Sequence, residues 1–184
     1  MLCRRSVATM VDHQTRWYGP NADRPGALMG GAPFPRIATI CRLRLSASEQ
    51  VVQVTNTHLD ERSVDRRRHS AMQLLDWLDH DLPQIVVGDF NALPDDELFE
   101  PLAAAGLRHA LPADAGGTYH RFTGRRDGPR IDHILVSKHF DVTQSGVFEG
   151  RVGRRLPSDH WPVRATLRLS PRAETTPRPG DIVY

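Results

Sequence analysis

The sequence predicts an α/β fold built as a single domain. At 184 residues the chain is long enough for one sizeable hydrophobic core, whereas two domains would be cramped. Two neighbouring apolar runs are separated by a short turn, which indicates an antiparallel hairpin. A stretch with the helical period then lies before a third apolar run, as in a crossover connection. We therefore expect strands of mixed direction with helices between them.

The N-terminal part predicts a loop followed by two strands. Residues 12–35 are rich in Gly and Pro, which favours a loop. Residues 37–45 alternate between apolar and polar side chains, as in a half-buried strand. Residues 51–57 form the second strand of the hairpin, after the turn at residues 46–50.

The middle of the chain predicts a helix and a buried strand. Residues 63–82 show the helical period, with Ser63 as the N-cap and Pro83 as the end of the helix. A buried strand at residues 84–88 follows, and its final Gly is interpreted as the point where the strand stops.

The C-terminal part predicts a second helix and three more strands. Residues 95–105 have acidic residues at the start and Gly106 after the end, as expected for a helix. Further strands are predicted at residues 131–137, 141–148 and 161–169. The proline-rich residues 171–184 predict a disordered tail, which leaves a domain of residues 1–170.

The composition is that of a soluble globular protein, with 39% hydrophobic and 25% charged residues. The formal net charge of +2 is too small to indicate a nucleic-acid partner by itself. The basic residues between 121 and 155 outnumber the acidic ones by eight to four, a local net charge of +4. The total arginine content is interpreted as the sign of a GC-rich bacterial genome. The cluster itself stays open between that origin and phosphate contact, which arginine suits.

The two cysteines, Cys3 and Cys41, form neither a metal-spaced pair nor a disulfide framework. No signal-peptide pattern is present, and no segment approaches the roughly 18 apolar residues of a membrane span. We expect a cytoplasmic monomer.

Four polar clusters lie at the ends of apolar runs. Gly88-Asp89-Phe90-Asn91 follows one run directly and is by itself a weak signal, because Asp and Asn are common turn residues. The other three are Asn56-Thr57-His58, Ile131-Asp132-His133-Ile134 and Ser158-Asp159-His160. Ligands of open α/β sheets bind at strand ends. Carboxylates suit Mg²⁺, and imidazoles suit proton transfer, so the set could supply the groups that metal-assisted hydrolysis needs.

Taken in the order in which they occur along the chain, the four clusters resemble the endonuclease/exonuclease/phosphatase (DNase I-like) superfamily. The resemblance covers about residues 36–169. The resemblance implies a two-sheet sandwich of mixed, largely antiparallel strands flanked by helices, the DNase I-like four-layer fold. It also implies hydrolysis of a phosphate ester, with nucleic acid as one possible substrate class, by a nuclease, phosphodiesterase or phosphatase that uses Mg²⁺ or Mn²⁺.

The resemblance assigns a role to each matching residue. Asp89 would hold or activate the attacking water, and Asn91 would orient both Asp89 and the phosphate. His160 would donate to a phosphoryl oxygen, with Asp132 fixing its tautomer, and His58 would donate a second hydrogen bond.

The remaining assignments concern the metal, the substrate loop and the other histidines. Asp159 is the expected metal ligand. Tyr119, Arg125, Arg126 and Arg130 are candidate substrate contacts, although Tyr119 and Phe122 could equally pin their loop to the core. His133 is assigned to packing because it alternates with Asp132. The histidines assigned to the surface are His13, His69, His80, His109 and His139.

The chain departs from the family pattern near its start. Full-length members begin with a strand carrying an Asn and a second strand ending in the metal-ligand Glu, and neither is recognisable here. We therefore expect an N-terminally truncated domain with weak metal binding. The alternative to an active enzyme is an impaired fragment or pseudoenzyme that binds phosphorylated ligands without turnover. A nucleic-acid-binding module is a third possibility, and it depends only on the Arg cluster.

Overall fold

A computed structural model describes residues 1–170 of the chain, so the tail expected at residues 171–184 lies outside the described residues. The strands are β1 (Ala8–Trp17), β2 (Ile37–Leu45), β3 (Val51–His58), β4 (Gln84–Asp89), β5 (Leu107–His109), β6 (Asp132–Ser137), β7 (Phe140–Val147) and β8 (Val163–Leu169). The helices are α1 (Val64–Asp76) and α2 (Phe99–Ala104).

The strands form one sheet of six and a second sheet of two. The order in the large sheet is β1-β2-β3-β4-β6-β5, and β7 pairs with β8 in the small one. β3 and β4 are parallel and joined through α1, whereas the other pairs are antiparallel. This arrangement confirms the predicted α/β class with two sheets, although the described residues contain few helices.

Hydrophobic clusters lie on both faces of the large sheet. The helix side packs Leu59, Leu74, Phe90, Leu98 and Leu102, each at most 1% exposed. The other side packs against the small sheet around Val52, Val136 and Phe140. Several apolar residues there are only half-buried, namely Leu43, Leu45, Val54, Ile85 and Val87, so two strands cover this face incompletely.

The prediction of a loop at residues 12–35 was wrong for its first part. β1 runs to Trp17 and pairs with β2 from Ala8↔Leu45 to Trp17↔Ile37, with a bulge between Met10 and Asp12. Six consecutive residues of this edge strand are exposed, so the strand lacks the hydrophobic alternation that identifies a strand in sequence.

Helix α1 begins after the predicted N-cap, Ser63, whose hydroxyl accepts a hydrogen bond from the Arg66 N–H. It ends at Asp76, earlier than the predicted residue 82. The buried side chain of Gln53 explains this end, because its amide donates to the Trp77 carbonyl and accepts from the Asp79 N–H. These contacts satisfy backbone groups where the helix stops.

Helix α2 is also shorter than predicted, because its expected start at residue 95 is a series of turns. The Asp96 carboxylate accepts from the Leu98 N–H at 3.0 Å, a local bond that competes with a helical turn. The short strand β5 follows α2 and was not predicted at all.

Gly88 lies inside β4 and does not end it, contrary to the sequence interpretation. Its φ is +149°, and a Cβ at this position would lie 1.9 Å from the Thr57 carbonyl oxygen. Only glycine therefore lets β4 approach β3 this closely. Thr57 and Gly88 are register partners, and so are the residues that follow them, His58 and Asp89. The close approach therefore places His58 beside Asp89.

Candidate functional site

Three adjacent strands of the large sheet bring three predicted site residues together. β3 ends at His58, β4 ends at Asp89, and β6 begins at Asp132. Asp89 is the register partner of both His58 and Asp132. Directly opposed residues project to the same face, so these side chains converge on the side of the small sheet.

His160 reaches the same place on the segment that precedes β8. The Trp161 N–H donates to the Thr118 carbonyl at 2.7 Å, and the His120 N–H donates to the Asp159 carbonyl at 2.8 Å. The hydroxyl of buried Thr118 also accepts from the Asp132 N–H at 3.2 Å. Thr118 thus ties the His160 segment to the start of β6, a role that its sequence context did not reveal.

A short hydrogen bond joins His160 to Asp132. His160 Nδ1 lies 2.7 Å from Asp132 Oδ2, and both side chains are mostly buried. One ligand atom each from Asp89, Asp132 and His160 falls within a 4.8 Å cluster. Because Nδ1 is engaged by Asp132, the Nε2 atom of His160 is the one left to face a substrate.

The Asp89 carboxylate is partly buried and contacts two other residues of the site. Its Oδ1 accepts from the Asn91 backbone N–H at 2.8 Å, and its Oδ2 lies 3.5 Å from His58 Nε2. Burial raises the pKa of Asp89, the charge of Asp132 raises this pKa further, and the Asn91 N–H opposes the shift. A carboxylate with a raised pKa is a stronger base.

Asn91 contacts Asp89 through its backbone N–H. It adopts a left-handed conformation with φ of +50°, and its side-chain amide donates to the Leu59 carbonyl at 3.1 Å. Residues held in this region cost energy and are found at functional sites more often than elsewhere.

His58 is the more accessible imidazole of the site, with its side chain 51% exposed. Burial of the ring lowers the pKa of His58, and the positive charge of Arg36 lowers it further. A neutral imidazole beside Asp89 can donate from one nitrogen, as the predicted role requires.

A cleft of about 710 Å³ opens over these residues. Its polar lining includes His58, Asp89, Asp132, Ser158 and His160. Its apolar lining includes Val87, Ile134, Trp161, Pro162 and Val163. The volume falls within the range of small-molecule sites.

Of the predicted substrate contacts, Tyr119 lies at the site, whereas the three arginines have partners elsewhere. The Tyr119 ring lies 4.8 Å from the His160 ring, so Tyr119 is at the site. Arg125 pairs with Asp127, and Arg126 pairs with Glu149 at 3.5 Å. Arg130 is 8% exposed and donates to the Pro112 carbonyl, so the structure does not bring it to the cleft.

The two aromatic residues of this loop differ in exposure. Phe122 is 61% exposed, whereas Tyr119 packs on the site histidine itself. Arg121 and Phe122 both have positive φ, of +49° and +59°, and the Arg121 guanidinium lies 5.4 Å from the Tyr119 ring centre.

Asp159, the expected metal ligand, lies outside the cluster of possible ligand atoms. Asp89 and Asp132 are the carboxylates within that cluster. Two partly buried carboxylates on one face repel each other unless a cation lies near them. Their chemistry therefore fits a divalent cation with oxygen ligands.

Two histidines lie behind the site. His133 is 2% exposed, and its Nε2 lies 2.9 Å from the Ala92 carbonyl, which confirms the packing role. His109 was expected on the surface, and this was wrong. It is half-buried, with its ring 4.6 Å from Phe99 and 5.0 Å from His133, because the unpredicted β5 carries it there.

Comparisons with known proteins show the family and the fold of the chain. Residues 2–160 match the model of the Endonuclease/Exonuclease/phosphatase family. A mannosyl-6-phosphatase from Bacteroides thetaiotaomicron VPI-5482 is 26% identical, with a TM-score of 0.80, and the match covers 90% of this chain and 69% of that one. An endonuclease/exonuclease/phosphatase from Bacteroides vulgatus is 27% identical, with a TM-score of 0.80 and coverage of 91% and 68%.

A conserved protein of unknown function from Enterococcus faecalis V583 has the same fold, with a TM-score of 0.82 at 24% identity over 91% of this chain and 69% of that one. No curated protein sequence matches the chain. None of the helices in residues 1–170 is long and apolar enough to cross a membrane.

Proposed function

Because the chain belongs to the endonuclease/exonuclease/phosphatase family, whose members are hydrolases of phosphate esters, we propose that it hydrolyses a phosphate ester with the help of Mg²⁺. One observation carries this proposal. Asp89, Asp132 and His160 converge within 4.8 Å of one another at the floor of a cleft, although they are distant in sequence. A base, an oriented imidazole and a site for a cation are what the reaction needs.

Each residue has a distinct part in the proposed reaction. Asp89, with its raised pKa, accepts a proton from the attacking water, whose oxygen forms the new bond to phosphorus. His160 donates from Nε2 to a phosphoryl oxygen, because Asp132 holds its Nδ1. His58 donates to another phosphoryl oxygen from the open side of the cleft. The bond from phosphorus to the ester oxygen then breaks, its electron pair stays on that oxygen, and the departing alcohol takes up a proton from solvent in the open cleft while Asp89 returns its proton to solvent.

Asp132 is the residue proposed to hold the cation, beside Asp89, which is committed to the attacking water. A bound Mg²⁺ would supply positive charge that offsets the charge building up on the phosphoryl oxygens. Mn²⁺ suits the same oxygen donors. Asp159, the residue before His160, stays a proposed ligand from sequence, outside the cluster that the structure forms.

The proposed substrate is a phosphate monoester or diester. The family comprises phosphoesterases, nucleases and phosphatases, and one of the similar structures is a mannosyl-6-phosphatase. The cleft is large enough for a sugar-sized group, and its apolar lining would contact the part of the substrate that carries no charge.

A second candidate function is ligand binding without turnover. It is favoured by the small number of carboxylates at the floor of the cleft, since Asp132 is already bonded to His160 and Asp159 lies apart. An ion that loses its water reluctantly needs fixed oxygen ligands, so a site with few of them binds Mg²⁺ weakly.

The test is the rate of hydrolysis of bis(4-nitrophenyl) phosphate and 4-nitrophenyl phosphate during a titration with Mg²⁺. Saturable, chelator-sensitive turnover that is lost in Asp89→Asn and kept in Asp141→Asn would support an enzyme. Asp141 is the matched control because it is exposed on β7, in the small sheet. Phosphate binding without turnover at any Mg²⁺ concentration would favour the second candidate.

A further inference from the structure

The connection between β7 and β8 carries three exposed arginines, Arg151, Arg154 and Arg155. Within residues 1–170, no carboxylate lies at ion-pairing distance from any of them. In contrast, two arginines of the neighbouring loop are neutralised, Arg125 by Asp127 and Arg126 by Glu149. The basic region of the sequence therefore contains two paired arginines, whereas Arg121, Arg130 and Lys138 lie singly without a carboxylate partner among the described residues. Arg151, Arg154 and Arg155 are the unpaired group that lies close together in sequence, and we call residues 151–155 the Arg hairpin.

The Arg hairpin is a closed turn. Val152 and Arg155 exchange two backbone hydrogen bonds, of 3.0 and 3.1 Å, and Gly153 between them has a φ of +63°. Arg151 also packs against the neighbouring loop, since a Cβ added at Gly124 would lie 2.5 Å from Arg151 Nη2. Three cations are thus held together on a short, defined turn.

The Arg hairpin adjoins the cleft through both of its flanking segments. Arg155 is three residues before Ser158, which lines the cleft, and three residues span at most roughly 10 Å. On the other flank, the Phe148 N–H donates at 2.8 Å to the carbonyl of Pro162, another residue of the cleft wall. A ligand whose phosphate lies at His160 could therefore extend toward the hairpin.

Three like charges without a counter-charge repel one another, and an anion placed among them relieves this repulsion. The planar guanidinium suits phosphate, which it can contact with two N–H groups. We propose that the Arg hairpin binds a second phosphate of the substrate, so that preferred ligands carry two or more phosphate groups on one molecule. The assignment rests on the proposed function for the first phosphate, but binding at the hairpin requires no turnover.

This ligand chemistry has two sources, a single-stranded oligonucleotide and a small molecule with several phosphates. The experiment therefore measures binding of a fluorescein-labelled single-stranded oligonucleotide by anisotropy, with inositol hexakisphosphate and inorganic phosphate as competitors. The protein is the full chain carrying Asp89→Asn, without metal, so that failure of the proposed hydrolysis does not affect the result.

The test variant combines Arg151→Gln, Arg154→Gln and Arg155→Gln. The matched control combines Arg5→Gln, Arg24→Gln and Arg44→Gln, which removes the same charge from exposed positions on the β1–β2 side of the large sheet. We expect the test variant to weaken binding at least tenfold and the control less than twofold. The slope of log affinity against log salt should become shallower by about 0.7, as for the loss of one phosphate contact on a single strand.

Competition assigns the source. Displacement of the oligonucleotide by inositol hexakisphosphate, at concentrations where inorganic phosphate does not displace it, would support the proposal. The hairpin would then recognise several phosphates both on an oligonucleotide and on a small molecule. No displacement would restrict the ligand to nucleic acid. Binding of inositol hexakisphosphate without binding of the oligonucleotide, measured directly by titration calorimetry, would restrict the ligand to small molecules. Equal losses in the test and control variants, or no binding of either probe, would overturn the proposal. Arg154→Gln alone, at the turn, should weaken binding about threefold and serves if the triple variant does not fold.

Discussion

Asp132 Oδ2 lies 2.7 Å from His160 Nδ1, and the same carboxylate is the cross-strand neighbour of Asp89. Asp132 therefore affects both the proposed donor, His160, and the proposed base, Asp89. It fixes the tautomer and orientation of His160, and its charge contributes to the raised pKa of Asp89. A single substitution at Asp132 should change two separable observables.

We predict that Asp132→Asn lowers kcat for a phosphate ester by about 10²-fold or more, because the imidazole loses the acceptor that orients it.

The pH dependence of kcat/KM should change in Asp132→Asn as well. Asp89 must be ionised to act as a base, and removing the neighbouring negative charge lowers the pKa of Asp89, so the acid limb of kcat/KM should move to lower pH. The measurement is the pH–rate profile of both proteins. An acid limb that stays in place would mean that Asp89 is not the base.

Replacing the base or the imidazole should have larger effects. We predict that Asp89→Asn and His160→Ala each abolish the Mg²⁺-dependent hydrolysis, with circular dichroism unchanged, because both side chains lie at the cleft and neither is part of a hydrophobic cluster. His69→Ala, at an exposed position on α1, is the matched control for the imidazole. Undiminished turnover in either site variant would remove that residue from the mechanism.

Gly88 should be the least replaceable residue of the site. We predict that Gly88→Ala destabilises the protein by roughly 3 kcal/mol or more, because the added Cβ would lie 1.9 Å from the Thr57 carbonyl oxygen at a φ of +149°. Gly146→Ala, also inside a strand, has no atom within 4 Å of the added Cβ and should change stability little. Urea unfolding of the two variants gives the comparison. Similar midpoints would contradict the close approach of β3 and β4.

The sequence predicted well those features that depend on local patterns. His58 and Asp89 end apolar runs, Asp132 opens the next one, and Ser63 caps α1 as expected. The edge strand β1 was missed because six consecutive side chains are exposed, so no alternation marks it.

Contacts between distant segments were not readable from the sequence. The cap of α1 by Gln53 and the role of Thr118 depend on tertiary packing. The separation of the basic region into paired and unpaired arginines depends on loop conformation, since Arg125 meets Asp127 only in the folded turn. Composition gives the number of charges and not their partners.

The buried pair of histidines behind the site gives a further pH effect. Burial lowers the pKa of His133 from 6.5 to about 4, with the nearby charges of His109 and Arg130 adding to the shift and the Ala92 carbonyl opposing it. Burial also lowers the pKa of His109, and the charge of Arg130 acts in the same direction. Both imidazoles are therefore neutral in the folded protein at pH 7, next to a buried arginine.

Between pH 6.5 and about 4 the unfolded chain binds a proton at His133 that the folded protein does not bind, so stability should fall as the pH falls through this window. A pKa difference of this size corresponds to at most roughly 3 kcal/mol. We predict that His133→Gln, which keeps a donor for the Ala92 carbonyl but does not titrate, loses less stability than the original protein between pH 7 and pH 4.5. Urea unfolding at the two pH values measures the difference, with His69→Gln as the exposed control. Equal losses in all three proteins would show that His133 titrates normally in the fold.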